Sequence, residues 1–212
     1  MSTQTKFPLL VPVLLLTLAS LARADVITQI GTQHFTDGQT GISTGTFTTA
    51  VAGQPAPFDN FYGSDPSGPN FSNSWTFAYN SLSGSTITGA TITMGTYDFD
   101  TAGAGNQCAL FILNGYDLTT AANTVFEASP IGTGGYRVYS IPVPSADLAT
   151  LAGGSATCTL ILQNGLGVLG ATPYNGGGMD FSSLDIQVPE PATALLVGLG
   201  LTALLARRRC SS

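Results

Sequence analysis

Short runs rich in Thr, Val, Ile and aromatic residues, separated by clusters of Gly, Pro, Asn and Asp, constrain the fold of this 212-residue chain more than any other feature. Such runs are typical of β-strands, and the clusters between them are typical of turns. We therefore predict an all-β body over residues 25–187, an antiparallel β-sandwich with a jelly-roll-like arrangement. The predicted strands are 26–30, 44–51, 74–79, 90–100, 108–113, 136–141, 157–163 and 180–188, with weaker candidates near Thr86 and Val125.

Residues 146–152 form the one stretch with a helical pattern. Ser145 is a suitable N-cap, and Asp147 lies where the first turn would be. Gly153 and Gly154 would end the helix. We expect it to be a short crossing between two strands.

Charged residues are scarce, and the basic ones lie almost entirely at the two ends of the chain. Between Asp25 and Gln187 there are 11 carboxylates and one basic residue, Arg137. Nucleic-acid binding needs clustered Lys or Arg and is therefore excluded. Anionic lipid surfaces are disfavoured for the same reason. Arg137 is expected to pair with a carboxylate, with an anionic ligand as the alternative.

The first 24 residues have the features of a secretory signal peptide. Lys6 supplies the positive start, residues 7–18 are apolar, and Ala22-Arg23-Ala24 is a small-x-small cleavage site. The mature chain would then begin at Asp25. An uncut membrane anchor is the alternative, although the apolar run is short and contains two prolines.

The C-terminus contains a second membrane signal. Pro189-Glu190-Pro191 precedes an uncharged run, residues 192–206, which is followed by Arg207, Arg208 and Arg209. Fifteen helical residues cover about 22 Å, less than a hydrocarbon core of about 30 Å. We predict a single, transient transmembrane helix. Because the arginines stay cytoplasmic, the body would lie on the periplasmic side.

These three parts resemble the PEP-CTERM sorting signal. The predicted domains of the whole chain are therefore 1–24 signal peptide and 25–187 body, from the patterns described above, and 188–212 sorting signal. The resemblance implies that exosortase, together with the export machinery, acts on this chain. It also implies an exported protein, anchored briefly in the inner membrane and then delivered to the cell surface or the extracellular space. A plain C-terminal anchor is the alternative. Residues 188–191 are expected to be exposed, extended chain.

Cys108 and Cys158 lie in two similar runs, each ending in Asn-Gly. Export permits a disulfide between them, which would close a loop of about 50 residues. The alternative is a pair of buried thiols on separate sheets.

Catalytic motifs are weak, and the chain is not expected to be an enzyme or to need a cofactor. Residues 41–45 fit G-x-S-x-G, but a strand is predicted where the motif requires a helix. Residues 165–170 fit G-x-G-x-x-G, but Pro173 stands where a phosphate-binding helix would begin. The body has one His and one Glu, so acid–base pairs are few.

Asp98 and Asp100 alternate with Tyr97 and Phe99, which would place both carboxylates on one strand face. Together with the polar loop that follows, they are the candidate ligands for Ca²⁺. A solvated strand face is the alternative. The apolar alternation changes face near Gly95, which predicts a β-bulge there.

Aromatic residues lie on one predicted strand and in the loop before it. Trp75 and Phe77 are expected in the core, whereas the loop 55–71 is the better candidate for an outward aromatic surface. The function that fits these features is a structural or adhesive role in the envelope or a biofilm. The alternative is a carbohydrate-binding module for an extracellular polysaccharide.

Overall fold

The computed structural model describes residues 23–99, 107–164 and 174–189. In these ranges the helices are α1 (Thr44–Val51), α2 (Thr119–Ala128) and a 3-10 helix (Leu148–Gly153). The strands are β1 (Arg23–Gly31), β2 (Phe61–Tyr62), β3 (Ser72–Ala78), β4 (Gly89–Tyr97), β5 (Cys108–Leu113), β6 (Tyr116–Asp117), β7 (Tyr136–Pro142), β8 (Ser155–Leu162) and β9 (Gly177–Pro189).

The strands form two packed antiparallel sheets, which confirms the predicted sandwich-like, mostly β body. The first sheet has the order β1-β9-β4-β7, with β2 also pairing with β9. The second has the order β3-β8-β5-β6. The main core lies between the sheets, and burial alternates along strands such as β3 and β8. β9 is the longest strand and pairs with β1 on one side and β4 on the other.

The alternation predicted for β3 is confirmed. Trp75 and Phe77 are buried in the core, whereas Ser74 and Thr76, which alternate with them, are exposed on the outer face of the second sheet. Period-two alternation needs one buried face and one solvated face, and β3 has both.

The bulge predicted near Gly95 is confirmed as a register shift between Gly95 and Thr96, but its extra residue lies on β9 rather than on β4. Gly95 pairs with Phe181 and Thr96 with Met179, which leaves Asp180 of β9 between them. A Cβ on Gly95 would lie 2.0 Å from the Tyr136 hydroxyl and 2.2 Å from the Asp180 carboxylate. β4 ends at Tyr97, three residues before the predicted end of this strand.

Residues 44–51 were predicted to be a strand, and this prediction is wrong: they form α1. The Ser43 side chain accepts a hydrogen bond from the Thr46 amide and caps the helix. Phe47 and Val51, one helical turn apart, are buried on the outer face of the first sheet, where the Phe47 ring stacks on Tyr97 at 4.6 Å. Burying Phe47 and Val51 on one face of a helix stabilises α1 by more than the intrinsic preference of this Thr-rich segment for a strand.

Three smaller predictions also need correction. Val125 lies in α2, whose Ala122 and Phe126 face the core at helical spacing. Thr86 lies outside any strand. The helix predicted at 146–152 is a 3-10 helix that begins at Leu148, and Asp147 rather than Ser145 is its N-cap residue.

Candidate functional site

The body continues directly from β9 into the C-terminal signal. β9 ends at Pro189, which pairs with Arg23 at the end of β1. Val188 is buried in the core, so the predicted exposed strip does not include it, whereas Pro189 is exposed. Glu190, Pro191, the predicted transmembrane segment and the three terminal arginines (Arg207, Arg208 and Arg209) lie outside the described residues.

The N-terminal signal leaves the body from the same corner of the first sheet. Residues 1–22 lie outside the described residues, while Arg23 and Ala24 belong to β1 and pair with Pro189 and Val188. Both predicted membrane signals are therefore attached to one end of one strand pair. In the part of the chain that the structure describes, no helix has the length and apolar character needed to cross a membrane.

The outer face of the second sheet is rich in hydroxyl groups. The side-chain oxygens of Ser74 and Thr159 lie 2.7 Å apart across β3 and β8, and those of Thr76 and Thr157 lie 2.9 Å apart. Cross-strand hydroxyl pairs of this kind stabilise a sheet while leaving its surface polar and uncharged. We call these four residues the hydroxyl face. The alternation Ser-x-Thr and Thr-x-Thr in the sequence could have predicted it.

A groove of about 540 Å³ opens beside the hydroxyl face. Asn114 anchors its wall, because its side chain accepts a hydrogen bond from the Thr157 amide and donates to the Thr150 carbonyl. Tyr116, two residues further on, is 46% exposed. The groove is lined by Ile112, Asn114, Gly115, Thr150, Gly153, Ser155, Thr157 and Thr159.

The aromatic surface expected in the loop 55–71 is not formed. Phe58 and Phe71 are fully buried, and the Phe58 ring meets Trp75 edge-on at 5.9 Å. Phe61 and Tyr62 are half-buried in β2. The rings of this loop therefore extend the core, since burying an aromatic side chain stabilises the fold more than exposing it.

A buried polar network lies on the outer face of the first sheet, and the sequence pattern did not indicate it. The Tyr136 hydroxyl donates to Asp180 Oδ1, and the His34 amide donates to Asp180 Oδ2, both at 2.8 Å. Burial raises the pKa of the Asp180 carboxyl above its ordinary value. It raises the pKa of Tyr136 as well, and the neighbouring Asp180 charge adds to this effect. The network ties the loop before α1 to β9.

Asp98 lies just beyond β4 and is 5% exposed, so it does not belong to a solvated strand face. Its backbone has φ +60°, and its Oδ1 accepts a hydrogen bond from the Gly134 amide at 2.6 Å. Asp100 lies outside the described residues, so Ca²⁺ binding by this pair stays a prediction. Among the described residues there is no cluster of three or more His, Cys, Asp or Glu side chains that could hold a metal ion.

The expected disulfide is not present: Cys108 and Cys158 are free, buried thiols. Both lie in the second sheet rather than on separate sheets, but Cys108 pairs with Leu162 while Cys158 pairs with Leu113. This register separates the two cysteines by four or more residues along the strands, about 13 Å. A disulfide needs Cα atoms within about 7 Å.

Arg137 pairs with a carboxylate, as predicted. Its Nη1 lies 3.9 Å from Asp37 Oδ2, and Asp37 Oδ1 accepts a hydrogen bond from the Val138 amide. The half-exposed ion pair contributes little by itself. Its effect is to hold the loop before α1 against β7.

Contrary to our prediction, a helix does follow Ser43 in the G-x-S-x-G match. No strand leads directly into Ser43, however, because β1 ends at Gly31, and the Ser43 hydroxyl caps α1, so a nucleophile elbow is not formed. The G-x-G-x-x-G match, residues 165–170, lies outside the described residues.

A family model of the PEP-CTERM protein-sorting motif matches residues 187–209. The match begins inside β9 and covers the Pro-Glu-Pro sequence, the apolar run and the arginines. No curated protein and no solved structure matches this chain. The motif implies an exported, cell-surface protein that is sorted by exosortase.

Proposed function

We propose that residues 1–24 are a cleaved signal peptide, that residues 192–206 hold the chain briefly in the inner membrane, and that exosortase then transfers or releases the body. The observation that supports this best is the attachment of the matched motif to β9. β9 lies between β1 and β4, so the signal is joined to the interior of a sheet. A cut beyond Pro189 leaves the whole strand, and thus the folded body, intact.

The body has a structural or adhesive role at the cell surface or in the extracellular matrix, and it is not an enzyme. The hydroxyl face supports this role because it offers a polar, uncharged sheet surface to neighbouring molecules. The buried carboxylates Asp98 and Asp180 support it too. Each accepts hydrogen bonds from backbone amides of neighbouring loops and so holds the fold together.

The second candidate is a carbohydrate-binding module, favoured by the groove beside the hydroxyl face. Groove-lining hydroxyl and amide groups can hydrogen-bond to sugars, and the exposed Tyr116 ring can stack on a sugar face. This candidate and the structural role share the same route of export.

The sorting step is tested with the double variant Glu190→Ala, Pro191→Ala in the native host. We expect this chain to keep its tail and remain in the membrane fraction, while the control Ser212→Ala is processed like the wild type. Surface delivery of a shortened double variant would contradict the proposal.

The two roles of the body are separated on an array of glycans that includes the extracellular polysaccharide of the native host. Saturable binding that is lost in Tyr116→Ala but kept in Tyr174→Ala, a variant at the other exposed tyrosine, would establish the carbohydrate-binding module. An absence of binding would favour the structural role.

A further inference from the structure

The two predicted processing sites lie opposite each other on neighbouring strands. The signal-peptide cut is expected after Ala24, and Ala24 pairs with Val188. Arg23, one residue earlier, pairs with Pro189, the first residue of the Pro-Glu-Pro sequence. In the uncut chain, the last two residues of the signal peptide therefore form the end of the sheet next to the sorting motif.

The direction of the main-chain groups shows that the Ala24–Val188 pair is a hydrogen-bonded one. The Thr88 amide donates to the Gln187 carbonyl at 2.9 Å, which places the polar groups of Gln187 on the β4 side of β9. Neighbouring residues of a strand turn these groups to opposite sides, so those of Val188 face β1. Val188 and Ala24 thus exchange two hydrogen bonds, with the Val188 amide donating to the Ala24 carbonyl.

A cut after Ala24 removes both of these hydrogen bonds. The remaining part of β1 begins at Asp25 and keeps its pairing with β9 from Gln187 back to Phe181. Val188 then has no partner on the β1 side. A protease that binds its substrate as extended chain needs such unpaired main-chain groups.

We propose that signal-peptide removal opens the Ala24–Val188 pair and so frees the main chain of β9 directly before the Pro-Glu-Pro sequence, which places exosortase processing after signal-peptide cleavage. The inference rests on the proposed function, because it assumes both cuts. What it adds is the order of the two cuts.

The structural part is tested by amide hydrogen exchange on the full chain in detergent, produced in a host without exosortase. The Ala24→Tyr chain keeps its signal peptide, since cleavage requires a small residue at this position. We expect the Val188 amide to exchange at least about tenfold faster in the signal-cut chain, Asp25 to Ser212, than in the Ala24→Tyr chain. The Ile186 amide, which faces Val26, is the internal control. Equal exchange at Val188 in both chains would overturn the inference.

The processing order is tested in the native host with three variants at one position. Ala24→Gly keeps the cut and should lose its tail normally. Ala24→Tyr blocks the cut, preserves strand pairing and should keep its tail. Ala24→Pro also blocks the cut, but it removes the amide at position 24, weakens the pair and should restore tail removal.

Two outcomes of that experiment would overturn the inference: an Ala24→Tyr chain that loses its tail at the wild-type rate, or an Ala24→Pro chain that keeps it as Ala24→Tyr does. Failure of the proposed function is distinct, because it shows as a wild-type chain that keeps its tail. The exchange measurement needs no exosortase and tests the strand pair in either case.

Discussion

Tyr136 donates its hydroxyl hydrogen to Asp180 across the width of β4, with 2.8 Å between the two oxygens. Tyr136 lies on β7 and Asp180 on β9, and both side chains are almost completely buried. Gly95 of β4 lies between them, and its missing side chain makes room for the contact. On its outer face the first sheet is thus held together by this side-chain hydrogen bond, in addition to the main-chain hydrogen bonds between its strands.

Replacing Tyr136 with Phe removes this bond and leaves a buried carboxylate with one donor fewer. We expect the free energy of unfolding to fall by about 1–3 kcal/mol, the usual cost of an unsatisfied buried polar group. Denaturant unfolding measures the change. Tyr116→Phe is the matched control at an exposed position and should leave stability unaltered. Equal stabilities of wild type and Tyr136→Phe would show that the bond contributes nothing.

Asp180 makes stability depend on pH. Burial is the largest cause that raises its pKa above 3.8, against the opposing hydrogen bonds from His34 and Tyr136. Because the folded-state pKa exceeds the unfolded one, this contribution is fully present below pH 3.8 and is lost as the pH rises through the folded value.

The comparison with Asp180→Asn, which cannot titrate, isolates this effect. The free energy of unfolding of the wild type, relative to the variant, should decrease as the pH rises from about 3 to about 7. Thermal or denaturant unfolding across that range measures it. A difference that stays constant or increases with pH would mean that the folded-state pKa of Asp180 is not raised.

Gly95 has no room for a side chain. A Cβ there would lie 2.0 Å from the Tyr136 oxygen, so Gly95→Ala must displace the Tyr136–Asp180 pair or bend β4. We expect a loss of about 1–3 kcal/mol, typical of overpacking. Gly153→Ala is the control, since its Cβ would meet nothing within 4 Å. Similar melting temperatures for the two variants would contradict the packing described here.

The thiols of Cys108 and Cys158 should be unreactive in the folded body. Burial raises the pKa of Cys108 to about 12 and also raises that of Cys158, so neither forms the nucleophilic thiolate near pH 7. In a Cys210→Ser background, a thiol reagent should label neither cysteine in buffer and both in denaturant without a reductant. A linked peptide pair in a non-reducing map would instead show a disulfide.

Strand positions could largely be predicted from the sequence because alternation and turn residues are local signals. β5 was predicted with its observed bounds, and a bulge next to Gly95 was predicted from a change of alternation, although its extra residue lies on β9. α1 could not be predicted, since the surface that buries Phe47 is assembled from distant strands. The free cysteines have the same explanation: their separation depends on the register of β5 against β8, which no local pattern specifies.

Intact mass of the protein recovered from the surface of native cells tests the proposed route most directly. We expect a chain that begins at Asp25 and ends near the Pro-Glu-Pro sequence, without the apolar run and the arginines. An unprocessed chain from Met1 to Ser212 in the cytosol would contradict both the export and the sorting of this protein.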